Sequence, residues 1–212
     1  MTKSEPVPSK RPYALGKRLE QSDQKRSDVL LAARKLLESK DFYLFTLDTL
    51  ARDSGITRQT IHNLFGTKAG VLEALFDQIA LGGGMDRMRS LMTQQIDPGT
   101  TLSSFVQIFT DFWSRDRLII RRIHGIAAID SDLRVAVDAR NDRRRFLISR
   151  LVDQLDRVSL STRASGHPQR AAMLHALTGF EFFDTLAKGS TTEEQATEII
   201  LTLVKQAFTV SS

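Results

Sequence analysis

The chain contains no cysteine, and it has a single tryptophan and five prolines among 212 residues. Without cysteine there is neither a disulfide framework nor a thiolate metal site, a pattern that suits a cytoplasmic protein. No apolar run approaches the roughly 20 residues of a membrane-spanning helix, so no membrane association is expected. Strand-like alternation of any length is missing too, and the expected fold class is all-α. The four histidines, at positions 62, 124, 167 and 175, form no H-x-x-x-H or H-E-x-x-H pattern, and no G-x-S-x-G is present. Catalysis is therefore the least supported function class, and no metal or cofactor is expected. A chain of this length can still bury a real core and hold one or two domains.

What is present is unevenly spread. Residues 1–70 hold 13 Lys/Arg against 8 Asp/Glu, whereas residues 71–212 hold 17 of each, so the whole excess of +5 belongs to the first third. Phosphate neutralisation drives non-specific affinity for nucleic acid, so this segregation points to DNA more than scattered charge would. Residues 1–22 are rich in Pro, Ser and Lys/Arg, with Pro6, Pro8 and Pro12, and read as a disordered basic arm without the apolar core of a signal peptide. Lys10, Arg11, Lys17 and Arg18 could reach a DNA backbone or minor groove; the other reading is a tail that only aids solubility.

Residues 23–39 place Val29, Leu30, Ala33, Leu36 and Leu37 at the period of an amphipathic helix. The link from Lys40 to Phe45 is unusually aromatic, and its rings are expected to plug the seam beside that helix. The stretch Thr46–Lys68, TLDTLARDSGITRQTIHNLFGTK, then reads as a helix-turn-helix. Leu47, Leu50 and Ala51 lie on a short helix, Asp53-Ser54-Gly55 makes the turn, and Thr57 caps a second helix through Leu64. Ile61, Leu64 and Phe65 share one face of that helix, leaving Arg58, Gln59, His62 and Asn63 elsewhere. Arg suits guanine, Gln or Asn suits adenine, and a Thr methyl can meet thymine. Gly66 ends this helix, and Thr67 caps the next one at Lys68. A cation there opposes the helix dipole but makes sense where a phosphate is shared. Most αα-hairpins are purely structural, so a helical protein-interaction module without sequence-specific DNA binding is the alternative.

These residues resemble the tetracycline-repressor (TetR) family of transcriptional regulators over roughly residues 23–80. The shared elements are Thr46, Ala51 to Ile56, His62-Asn63-Leu64-Phe65 and Lys68. The resemblance implies a three-helix DNA-binding domain over 23–67, followed by a helical regulatory and dimerisation domain over 68–212. It implies that Thr46, Thr57 and Lys68 contact phosphates, that Arg58, Gln59 and Asn63 face bases, and that Thr60 lies between the two. His62 stands where the family most often has Tyr and could donate to a phosphate. Leu64 cannot replace the His or Tyr often found there, so only packing is assigned to it.

Beyond Lys68 the periodicity predicts a helix to about Ala80. Gly82-Gly83-Gly84 then makes a helix end, with a hinge as the other reading. Helices follow over Thr101–Arg115, Arg117–Ile129 and Asp132–Val158. On the last of these, Arg143-Arg144-Arg145 and Arg150 are expected on a solvated, salt-bridged face. After a Ser161–Gly166 loop come one helix from Pro168 to about Lys188 and a terminal helix opened by the capping box Thr192–Gln195. The aromatic stripe of the Thr101 helix reads as core, while family resemblance implies an inducer pocket involving Phe105, Phe109, Phe112, Trp113, His124 and Phe180. The last two helices, about 168–188 and 192–210, are apolar enough to pair with a second copy, which is also the family's dimer mode. The resemblance thus implies a homodimeric regulator of double-stranded DNA, a repressor released from a palindromic operator by a small-molecule effector.

Overall fold

The computed structural model describes residues 11–93, 97–158 and 166–208, in which eleven α-helices and one short 3-10 turn occur and no strand does. The chain divides into two compact units that meet between Val71 and Leu72. No described helix is long and apolar enough to cross a membrane.

The first unit is built on α1 (Arg11–Glu38), α2 (Leu47–Ser54), α3 (Arg58–Phe65) and the first turn of α4 (Lys68–Gly82). Here the sequence expectation needs correction, because residues 11–22 are helical and continuous with the packed part of α1. Their side chains from Arg18 to Glu20 are exposed, so no apolar stripe announces the helix. Extending an existing helix costs far less than nucleating one, and Pro12 falls in the first turn, where its missing N–H is not needed. Residues 1–10, including Lys10, Pro6 and Pro8, lie outside the described residues.

Val29, Leu37, Leu50, Ile61 and Val71 are fully buried and form the core of this unit. Each contributes about 1.5–3 kcal/mol relative to exposure. The aromatic link behaves differently from expectation. Only Phe45 is buried, while Tyr43 is 61% and Leu44 45% exposed. Phe42-Tyr43-Leu44 forms the 3-10 turn, which aims successive side chains around its axis and buries none of the three.

The second unit contains the rest of α4, then α5 (Asp86–Thr93), α6 (Pro98–Arg115), α7 (Arg117–Ala127), α8 (Ser131–Val158), α9 (His167–Leu177), α10 (Phe180–Leu186) and α11 (Glu193–Phe208). The expected single helix over 168–188 is two helices. Thr178 Oγ1 donates to the Leu174 carbonyl at 2.6 Å, and the Thr178 carbonyl is taken by Trp113 Nε1 at 3.0 Å, so the backbone turns and Gly179 starts α10. A buried carboxylate fixes α10: Asp184 accepts from Arg117 Nε at 2.8 Å and from Arg121 Nη2 at 2.6 Å. Burial acts upward on its pKa, yet these guanidiniums hold it below the usual carboxylate range.

The Gly82-Gly83-Gly84 triplet is a packed turn. A Cβ on Gly83 would lie 2.8 Å from Phe112 Cδ2 and 3.2 Å from the Ile79 carbonyl oxygen, so only glycine fits there. The arginine run on α8 is also not uniformly solvated. Arg145 pairs with Asp142 at 2.8 Å on the surface, but Arg144 is only 8% exposed. The Ser161–Gly166 loop falls outside the described residues apart from Gly166. On α11, Ala196, Ile200 and Val204 are buried within the chain itself, so only part of the apolar stripe is left for a partner.

Candidate nucleic-acid interface and inner cavity

In the first unit the helix ends are defined by threonines. Thr46 caps α2 by accepting from the Thr49 N–H at 3.1 Å, and Thr57 caps α3 by accepting from the Thr60 N–H at 3.2 Å. Their hydroxyls also meet those of Thr49 and Thr60, at 3.0 and 2.9 Å. A capping hydroxyl still carries its own proton, which it can give to a phosphate oxygen. Between the helices Gly55 adopts φ 70°, the left-handed turn that its position in the sequence suggests. Thr67 caps α4 through the Gly70 N–H at 3.2 Å, placing half-buried Lys68 in the first turn.

Arg58, Gln59, His62 and Asn63 are all exposed on α3, and the first three border a shallow surface depression. Arg58 lies 3.5 Å from Asp48, but both side chains are mostly exposed, so this pair contributes about 0–1 kcal/mol and yields easily to a base. Gln59 Nε2 donates to Asn63 Oδ1 at 3.0 Å one turn away, which presents the two amides together. Thr60 is half-buried beside them. A helix of this length is about 12 Å long and fits a major groove of about 12 Å.

Two supporting residues have no counterpart in the sequence reading. Arg26 on α1 stacks its guanidinium 4.5 Å from the Phe65 ring centroid and donates through Nη1 to the Leu64 carbonyl at 3.2 Å. It thereby holds the carboxyl end of α3. At Gly70 a Cβ would sit 1.9 Å from the Phe65 carbonyl oxygen, so α4 can approach α3 only with glycine there. A glycine inside a helical pattern was the available signal.

Residues 29–75 match the family described as "Bacterial regulatory proteins, tetR family". That segment is a TetR-family amino-terminal domain. It is 34% identical over 110 residues to the HTH-type transcriptional regulator AlkX of Mycobacterium tuberculosis, and that stretch spans 50% of each protein. The chain thus covers about half the length of this curated relative. Among solved structures, a TetR-family transcriptional regulator from Syntrophomonas wolfei aligns with TM-score 0.72 at 15% identity, covering 89% of this chain and 97% of that one. NalD, the secondary repressor of the MexAB-OprM multidrug efflux pump in Pseudomonas aeruginosa, aligns with TM-score 0.69 at 22% identity, again over 89% and 97%. At these identities the structural matches establish the fold.

The second unit contains a cavity of about 210 Å³ bordered by α4, α6, α7, α8 and the turn at Met85. Phe109, Phe112, Trp113 and His124 line it, whereas Phe105 and Phe180 do not. Phe105 is fully buried beside Phe109, with ring centroids 5.0 Å apart, and Phe180 lies edge-on to Trp113 at 5.6 Å. Both belong to the layer behind the wall. His124 Nδ1 is 2.7 Å from Glu181 Oε1, and this contact is the largest cause of a Glu181 pKa of about 2.

Arg140, Arg143 and Arg144 also line the cavity. They were missed because arginine on a long helix reads as solvated. A signal existed in the spacing, since Leu133, Ala136, Arg140, Arg144, Leu147, Ile148 and Leu151 follow one helical stripe.

Proposed function

We propose that this protein is a homodimeric transcriptional repressor that reads a palindromic operator in double-stranded DNA with α3. A small molecule in the inner cavity would release it. The carrying observation is the set of exposed base-reading side chains on α3, flanked by threonine caps, in the chain's basic third. Thr46, Thr57 and Lys68 are assigned to phosphates, Arg58, Gln59 and Asn63 to bases, with His62 and Thr60 at the edge.

NalD, named as a repressor, supports the polarity. The dimer reading rests on α9 and α11, where Met173 and Ile199 are 40% and 39% exposed and Ala172 and Ala176 leave room for a partner helix. Two-fold symmetry would then place two copies of α3 on two half-sites. Release requires the effector to bind the DNA-competent and incompetent states with different affinity.

The test is selection from random duplex DNA with purified protein at stated salt, followed by sequencing. A palindromic motif is the expected result. Retention without a motif, lost as salt rises, overturns sequence-specific reading. Substituting Phe109 should alter release by an effector while leaving DNA affinity nearly unchanged; unfolding of that variant would return the ring to a purely structural role.

A further inference from the structure

The inner cavity has an unusual mixture of walls. Phe76, Phe109, Phe112, Trp113, Val137 and Leu147 give it an apolar body, yet its charged lining residues are three arginines and no carboxylate. Two of these arginines lie one helical turn apart on α8. Arg144, 8% exposed, donates through Nη1 to the His175 carbonyl at 2.8 Å and to Thr178 Oγ1 at 3.2 Å. Arg140 stacks 4.7 Å from the Phe76 ring centroid and donates through Nη2 to the Glu73 carbonyl and to Asp77. In both, Nε is buried with no hydrogen-bond partner among the described residues.

Structural roles account for only part of each fork. Arg144 holds the end of α9 and Arg140 holds α4, but each keeps a buried donor that costs about 1–3 kcal/mol while unsatisfied. Glu181 is the acidic group felt by Arg144, and its carboxylate is engaged by His124. Burial lowers the Arg144 pKa to about 10, which still leaves it charged at neutral pH.

We infer that the effector is a small monocarboxylate with an apolar body, its carboxylate held by Arg140 and Arg144 and its body against Phe109, Phe112 and Trp113. This rests on the effector reading of the cavity and adds the ligand's chemical class. A guanidinium matches a carboxylate with two parallel donors, which a neutral ligand cannot use fully and a cation opposes.

The chain's single tryptophan lines the cavity and reports on it directly. Full-length protein is titrated with 3-phenylpropionate and octanoate, and with the amide and amine of each, following Trp113 fluorescence and retention on the selected duplex. The expected result is saturable binding of at least one acid, with its amide weaker by roughly ten- to a hundredfold and its amine showing no response. Arg140→Gln should weaken the acid by a similar factor without changing its amide, and Arg144→Lys, which keeps the charge but loses the fork, should do so in part. Amides binding as well as acids and releasing DNA would overturn the carboxylate inference while leaving the effector reading intact. Acids binding without loss of DNA would support the inference and overturn release. No response to any of the six compounds up to solubility would overturn both.

Discussion

The two units carry their chemistry in opposite ways. The first presents its working residues outward, with Arg58, Gln59, His62 and Asn63 all exposed on one short helix. The second withdraws its charge, and Arg144 lies in an aromatic cavity at 8% exposure. An exposed guanidinium loses little when its partner changes, so α3 can exchange a weak ion pair for a base. A buried one must be satisfied in place, and that makes it selective for what enters. Under the proposed function, charge excess would mark the unit that meets DNA, and charge burial the unit that takes the effector.

The largest expected effect tests the outward half of this contrast. Replacing Arg58 and Gln59 together by Ala should cost about 4 kcal/mol of operator binding, a loss of roughly a thousandfold. Circular dichroism should be unchanged, because neither side chain is buried. Affinity measured at constant salt within threefold or so of the parent would break the base-reading assignment.

Next comes Gly70→Ala. The new methyl would collide with the Phe65 carbonyl, so α3 and α4 must separate at a cost of ~3 kcal/mol or more. The first unit should melt earlier, with the second changed little. An unshifted transition in differential scanning calorimetry would mean that the approach of α4 to α3 relaxes cheaply.

Arg26→Ala should have a smaller effect, about 1 kcal/mol, from loss of the Phe65 stacking and the bond to Leu64. Arg26→Lys should restore only part of it, since lysine keeps the charge but not the planar fork. Amide hydrogen exchange at the carboxyl end of α3 is the measurement; equal protection in parent and alanine variant would deny Arg26 its supporting role.

The same contrast explains what could be read from the sequence. Helix caps and turns are local, so Thr57, Gly55 and Gly66 announced their roles through neighbours within four residues. The exposed face of α3 followed from the apolar positions of Ile61 and Leu64. The cavity depends on which helices meet, and no local rule says that α8 turns Arg144 inward or that Phe105 falls behind the wall instead of in it. Residues 11–22 were misread for the complementary reason. Residues 18–20 are exposed and show no buried stripe, and the proline content of the segment resembles a tail. Thr178-Gly179 was missed because the break in that helix is held by Trp113, 65 residues away.

The smallest predicted effect probes the withdrawn half of the contrast. His175 on α9 is half-buried, and its Nε2 has no hydrogen-bond partner among the described residues. Burial first, then the charges of Arg144 and Arg145, lower its pKa from 6.5 to about 4. The folded protein therefore keeps this imidazole neutral where the unfolded chain would protonate it. Its contribution to stability is complete above pH 6.5 and is lost as pH falls toward 4. Glu181 adds an acid-labile contribution only below its ordinary value of 4.5. His175→Gln should flatten the decline in melting temperature between about pH 7 and about pH 5. A carboxylate bound at Arg144 should flatten it as well, by offsetting the positive charge that His175 feels. If the parent and His175→Gln lose stability in parallel across that interval, the buried positive charge of the second unit does not control its acid response.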